Sequence, residues 1–197
     1  MTELYVSHIL SDVKNLGPGK RLCVWFAGCS KNCPGCCSPE LQILKNATQI
    51  STEELAEIVN FKVAMTGADG ITFSGGDPLE QPDIVDFLSQ LYCPDILLFT
   101  GFDISELRDN GLLEQISEHV AVLKCGRYIS EKDEGHPLMG SANQELLFLN
   151  PSLRELYETY IAEHERQLCY YRLNNMFYYS GLPDHHKKEK ELNANAV

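Results

Sequence analysis

Residues 22–37 read Leu22-Cys23-Val24-Trp25-Phe26-Ala27-Gly28-Cys29-Ser30-Lys31-Asn32-Cys33-Pro34-Gly35-Cys36-Cys37. Leu22 to Ala27 is an unbroken apolar run without helical spacing, which predicts a buried strand. From Gly28 to Pro39 glycine, proline and cysteine take over, and the chain reads as a loop. Thiolates are soft ligands suited to iron–sulfur clusters and to zinc. A compact loop with Gly28, Pro34 and Gly35 can wrap Cys29, Cys33 and Cys36 around one cluster. Three cysteines on four irons would leave one iron free to hold a small molecule and pass it an electron. A structural zinc site needs a fourth protein ligand. Cys23 and Cys37 could supply it, so this spacing by itself leaves both metals open.

Working outward, strands and helices alternate. Ser51-Thr52-Glu53-Glu54 is a capping box that predicts a helix start, with Leu55, Ile58, Val59 and Val63 as its apolar stripe and Gly67 as its end. Gly70 to Ser74 predicts a second strand, running into Gly75-Gly76-Asp77-Pro78. Pro82 suits the first turn of a second helix carrying Val85, Leu88 and Leu91. Ile96 to Thr100 predicts a third strand, ending at Gly101. Asp103-Ile104-Ser105-Glu106 is another capping box, before a helical region of Leu107, Leu112, Leu113 and Ile116 interrupted at Gly111. Val120 to Lys124 predicts a fourth strand. Parallel neighbours need crossovers, usually helical, so this alternation implies an α/β fold of parallel strands. Ligands in such sheets bind at the strands' carboxyl ends. There the cysteine loop, the Gly-Gly-Asp-Pro turn, Thr100-Gly101 and Lys124-Cys125 converge.

From Asn150 the pattern changes. Asn150 and Pro151 open a helix whose stripe is Leu153, Leu156, Tyr157, Tyr160, Ile161 and Leu168. The aromatic residues Tyr170, Tyr171, Phe177, Tyr178 and Tyr179 read as cover for an open sheet edge. The expected organisation is a main domain over residues 1–150, an extension packing on it over 151–180, and a polar, disordered tail over 181–197. His185 and His186 belong to that solvated tail.

The chain has 197 residues, 44% hydrophobic and 22% charged, values ordinary for a globular protein with one sizeable core. Its formal net charge of −12 argues against nucleic-acid binding and against docking on anionic membranes. No apolar run is long enough to span a bilayer, and the first residues lack the pattern of a signal peptide. A cytoplasmic location is expected. Eight cysteines, four of them between positions 29 and 37, point to metal rather than disulfides in that setting.

The motifs resemble those of the radical S-adenosylmethionine family, and within it the activating proteins of anaerobic ribonucleotide reductase. The matching stretches are Gly17-Pro18-Gly19-Lys20-Arg21, Cys29 to Cys36, Ser74-Gly75-Gly76-Asp77-Pro78-Leu79, Thr100-Gly101-Phe102 and Gly140-Ser141-Ala142-Asn143-Gln144, in the family's order. The resemblance implies an incomplete TIM-like (βα) barrel of the radical S-adenosylmethionine type. It further implies a [4Fe–4S] cluster on Cys29, Cys33 and Cys36, whose open iron holds S-adenosylmethionine. Reductive cleavage then gives a 5′-deoxyadenosyl radical that makes a glycyl radical on a partner reductase. A one-electron donor such as flavodoxin or ferredoxin is implied, and no side chain acts as a general acid or base. Gly75, Gly76, Asp77 and Pro78 match the turn that receives the methionine amino group. Pro34 and Gly35 match positions beside adenine. Thr100, Gly101, Ser141 and Asn143 are further candidate contacts, with ordinary turn chemistry as their bland reading. A standalone radical enzyme and a non-catalytic iron–sulfur or zinc module are the alternatives. Cys37 departs from the branch's pattern and reads as a spare thiol, a supporting group or another ligand. Cys125 departs too, at a place where an acidic residue is usual, and is expected to be buried. Cys93, Cys169, Trp25 and Phe26 read as core.

Overall fold

The computed structural model describes residues 3–45, 47–173 and 176–183. Apart from residues 181–183, the polar tail with its His185 and His186 lies outside the described residues. Among the described residues seven strands form one sheet: β1 (Glu3–Val13), β2 (Arg21–Phe26), β3 (Thr48–Ser51), β4 (Gly70–Gly75), β5 (Ile96–Phe99), β6 (Val122–Cys125) and β7 (Glu145–Phe148). Their order is β3-β1-β2-β4-β5-β6-β7. β2, β4, β5 and β6 run parallel, as the alternation predicts. The remaining strands correct that expectation, because β1, β3 and β7 pair antiparallel at the two flanks. The α/β class holds, but the sheet is mixed.

The four parallel strands are buried on both faces, hence their continuous apolar runs. Alternate side chains serve two cores. Leu22, Val24 and Phe26 pack with Phe73, Leu98 and Leu123, under α1 (Thr52–Thr66), α2 (Ile84–Ser89), α3 (Ile104–Asp109) and α4 (Leu112–Ile116). Cys23, Trp25, Leu97 and Phe99 face the other way, toward Tyr157 and Tyr160 of α5 (Arg154–Glu163). A short hairpin of β8 (Cys169–Leu173) and β9 (Met176–Ser180) lies on this second side, with Tyr171 and Tyr178 against the core. Among the described residues no helix is long and apolar enough to cross a membrane.

Local signals hold where the chemistry is explicit. The Ser51 hydroxyl accepts the Glu54 N–H at 3.1 Å, and Gly67 ends α1 in the left-handed region at φ 60°. The Glu106 carboxylate accepts the Asp103 N–H at 2.8 Å. The second helix begins at Ile84 rather than Pro82, because Asp83 takes the left-handed region at φ 53° and so cannot continue a helix from Pro82. Leu156 and Leu168 are exposed rather than part of the α5 stripe, leaving Tyr157 and Tyr160 to bury it.

Beneath the sheet, Arg21 is fully buried and pairs with Asp95 at 2.8 Å. Its guanidinium also donates to Thr72 Oγ1 at 2.6 Å, Ile71 O at 2.7 Å and Pro18 O at 3.1 Å. The Tyr157 hydroxyl donates to the same Asp95 at 2.6 Å, tying α5 to the network. A Cβ on Gly70 would lie 2.5 Å from this guanidinium, so the glycine clears its space. The Gly17-to-Arg21 motif is therefore a structural anchor at the amino ends of the parallel strands.

Candidate metal and cofactor site

The parallel strands deliver four connections to one end of the sheet. β2 runs into the cysteine loop, whose start is pinned by Gly28 N–H to Leu41 O at 2.8 Å and Cys29 N–H to Gln42 O at 3.0 Å. Within it, the Cys36 N–H donates to Cys33 O at 3.1 Å. Pro34 and Gly35, the latter at φ 73°, occupy the central positions that a type II turn asks for. The turn brings Cys33 and Cys36 toward one side while Pro34 and Gly35 themselves stay exposed.

β4 runs into Gly75 and Gly76, and here the geometry gives a physical reason for both glycines. A Cβ on Gly75 would sit 2.3 Å from Phe26 O, and one on Gly76 would sit 2.2 Å from Gly28 O. Gly76 N–H donates to Phe26 O and Asp77 N–H to Gly28 O, each at 2.9 Å. The glycine pair thus lets the turn lie flat against the root of the cysteine loop. Asp77 is buried and joins this turn to β5. Its carboxylate accepts Thr100 Oγ1 at 2.9 Å, Gly101 N–H at 2.8 Å and Leu79 N–H at 3.0 Å. Burial raises its pKa to about 6 against the pull of those donors. Asp77, Thr100 and Gly101, read separately in the sequence, are one hydrogen-bonded unit.

These elements enclose an open cavity of about 990 Å³, solvent at its mouth included. Cys29, Cys33 and Cys36 line it together with Gly75, Gly76 and Asp77, and Thr100 and Gly101 complete that wall. Pro34, Gly35, Pro78, Ser141 and Asn143 do not line it. Pro78 is buried just behind Asp77 as the first residue of the 3-10 turn. Ser141 and Asn143 make turn bonds, the Ser141 hydroxyl accepting Ile129 N–H at 3.1 Å and the Asn143 amide donating to Arg127 O at 2.9 Å. In that motif Gly140 and Gln144 reach the cavity, and the Gln144 amide donates to Gly126 O at 2.7 Å.

Cations also line the site, and of these the sequence places Lys124 at this end of the strands but not Lys31. Lys31 lies 3.5 Å from Glu80 and 3.2 Å from the centre of the Phe102 ring, a cation–π contact. Glu80 also accepts the Ser30 N–H at 2.6 Å and the Ser30 hydroxyl at 2.7 Å, holding the loop to β4's turn. Lys124, at the end of β6, is buried on the cavity wall, and that burial lowers its pKa to about 8. Trp25 belongs to the core and to the cavity wall at once. Cys125 is buried as expected. Cys93 is partly buried and packs against the first core, as expected, whereas Cys169 is partly exposed and belongs to neither core, which corrects the expectation for it. Lys31 and Glu80 carry no periodic signal, so only the fold could place them.

All eight cysteines are free thiols. Cys36 is lowered to about 6, chiefly because the Cys37 thiol donates to it, while Cys37 is pushed up by that bond and by burial. Burial raises Cys29 to about 11. Among the described residues no three His, Cys, Asp or Glu side chains close on a point that could hold a single metal ion. The three loop cysteines instead surround a volume, which suits a polynuclear cluster whose thiolates bind different irons. The donor set and its cavity fit a [4Fe–4S] cluster.

A family model described as "4Fe-4S single cluster domain" matches residues 15–147. The chain belongs to this family of single-cluster iron–sulfur proteins. More particularly, it is 34% identical over 143 residues to the anaerobic ribonucleoside-triphosphate reductase-activating protein of Salmonella typhimurium, covering 68% of this chain and 90% of that protein. The protein of the same name from Escherichia coli is 30% identical over 142 residues, with the same coverage. The pyruvate formate-lyase-activating enzyme of Clostridium pasteurianum is 32% identical over 106 residues, 52% of this chain and 43% of that one.

Proposed function

We propose that the chain is a radical S-adenosylmethionine activating enzyme that makes a glycyl radical on a partner, an anaerobic ribonucleoside-triphosphate reductase. One observation carries this reading: Cys29, Cys33 and Cys36 share a cavity with the Gly75-Gly76-Asp77 turn and Thr100-Gly101, in a chain whose relatives are activating proteins. When bound, the cluster and S-adenosylmethionine supply a 5′-deoxyadenosyl radical by reductive cleavage of the sulfonium.

The chain's own residues bind, orient and shield. Cys29, Cys33 and Cys36 hold three irons and leave the fourth without a protein sulfur. Gly75 and Gly76 press the turn close to the cysteine loop, and Asp77 and Pro78 fix it where the cofactor's amino group is received. Thr100 and Gly101 act through Asp77. Lys124 offers a buried cation suited to the cofactor's carboxylate. Pro34 and Gly35 serve adenine from the rim, while Ser141 and Asn143 support Gln144. The electron comes from a one-electron donor such as flavodoxin or ferredoxin.

We also read the sheet as an incomplete barrel over residues 1–150, extended by residues 151–180. The placement of α1 to α4 on one face, with the cavity opening on the other, supports that reading. The test is anaerobic reconstitution, reduction with dithionite and assay for 5′-deoxyadenosine, followed by electron paramagnetic resonance of the co-encoded reductase. Product with a glycyl radical signal is expected. Product without that signal assigns a standalone enzyme, and no product from an intact cluster overturns the reading.

A further inference from the structure

The segment beyond α5 is not part of the stretch the family model matches, yet it returns to the cavity. Arg166 and the run Tyr179 to Pro183 form part of the cavity wall. Two anchors hold them there. Asn15, in the loop before β2, donates to Gln167 O at 2.9 Å and Ser180 O at 3.0 Å, and accepts the Ser180 hydroxyl at 2.6 Å. Arg166 is buried and pairs with Asp133 at 2.8 Å. It also donates to Met139 O at 2.8 Å and, at 3.2 Å, to His136 O and Pro183 O. Gly181 is seated so closely that a Cβ would lie 2.0 Å from Gln167 O and 2.5 Å from the Asn15 amide. Its φ of 96° adds strain to any side chain there.

Between these anchors the Tyr179 hydroxyl donates to the carbonyl of Cys37. That carbonyl belongs to the residue directly after Cys36, at the end of the cysteine loop. Tyr170, directly across the hairpin from Tyr179, is exposed and makes a natural control.

We propose that Arg166, Gln167 and Tyr179 to Pro183 form a strap that walls the cluster cavity, with Tyr179 as a positioning residue that holds the far end of the cysteine loop. The strap's link to a cluster rests on the functional reading above; its hold on the loop does not. The contacts of Gly28, Cys29, Ser30 and Lys31 hold the loop near its start, so Tyr179 supplies a tie at the opposite end.

The test is hydrogen–deuterium exchange of the full chain before and after reconstitution, with Tyr179→Phe, Gly181→Ala and Tyr170→Phe. In the metal-free chain, amides of residues 35–38 are expected to exchange about two- to tenfold faster in Tyr179→Phe, the effect of losing one hydrogen bond. Gly181→Ala should reproduce this, and Tyr170→Phe should match wild type. In the reconstituted chain, the first two variants should also lose cluster absorbance to an iron chelator several-fold faster, at unchanged initial iron content. Wild-type exchange in Tyr179→Phe and Gly181→Ala would overturn the strap. Faster exchange in a chain that never takes up iron would keep the loop-positioning claim and sink the cluster reading instead.

Discussion

Asp77 shows how a single side chain joins two parts of the site. Its carboxylate is buried and is held by a hydroxyl and two backbone N–H groups. Such donors partly offset the cost of burying a charge. The remainder appears as a pKa raised from 3.8 to about 6. Between those values the folded chain keeps a proton that the unfolded chain has released, so this group's contribution to stability rises as pH falls. Urea unfolding of the metal-free chain should therefore show wild type gaining about 2 kcal/mol over Asp77→Asn between pH 7.5 and 4.5. A difference that stays constant would mean the carboxyl titrates normally. The sequence marks Asp77 as a candidate through its motif, but no local pattern shows that Thr100 and Gly101 act through it. Their 23- and 24-residue separations close only when β4 and β5 pair.

At the scale of elements, the site depends on the turn after β4 lying against the loop after β2. Register sets this contact, with Phe26 opposite Gly75 in the parallel pair. Gly76→Ala would put a methyl 2.2 Å from Gly28 O and must push the loop's root away. We expect a stability cost of about 1–3 kcal/mol or more, with cluster iron per chain falling by at least roughly half after reconstitution; wild-type iron content would contradict the close packing. The four parallel strands were legible because each is a short segment without helical spacing, set between helix signals. β1 was not, since Ser7, His8, Ser11 and Asp12 interrupt its hydrophobic pattern and register shifts break its pairing. β7 is short and only half buried, as a flank strand can be. The cysteine loop was legible from side-chain chemistry, and Lys124 from its place at a strand end; Lys31 and Glu80 were not, because an isolated charge reads as surface until a fold buries it.

For the molecule as a whole, chemistry and stability are concentrated at opposite ends of the same strands. The carboxyl ends carry glycine turns, buried charge and free thiols. The amino ends carry the Arg21–Asp95–Tyr157 network, which locks β2, β4 and α5 together. Arg21→Ala leaves Asp95 buried without its partner and should cost about 3–5 kcal/mol in urea unfolding. Arg21→Lys should not rescue it, because an ammonium cannot reproduce the planar fork; full rescue would show that charge alone is required. The proposed chemistry turns on an iron with no thiolate from this chain. Mössbauer spectroscopy of protein reconstituted with isotopically enriched iron, with and without S-adenosylmethionine, tests this most directly. One iron site in four should change its isomer shift on adding the cofactor while the other three stay as they were. A spectrum that ignores the cofactor, or a chain that takes up a single zinc instead, would contradict it.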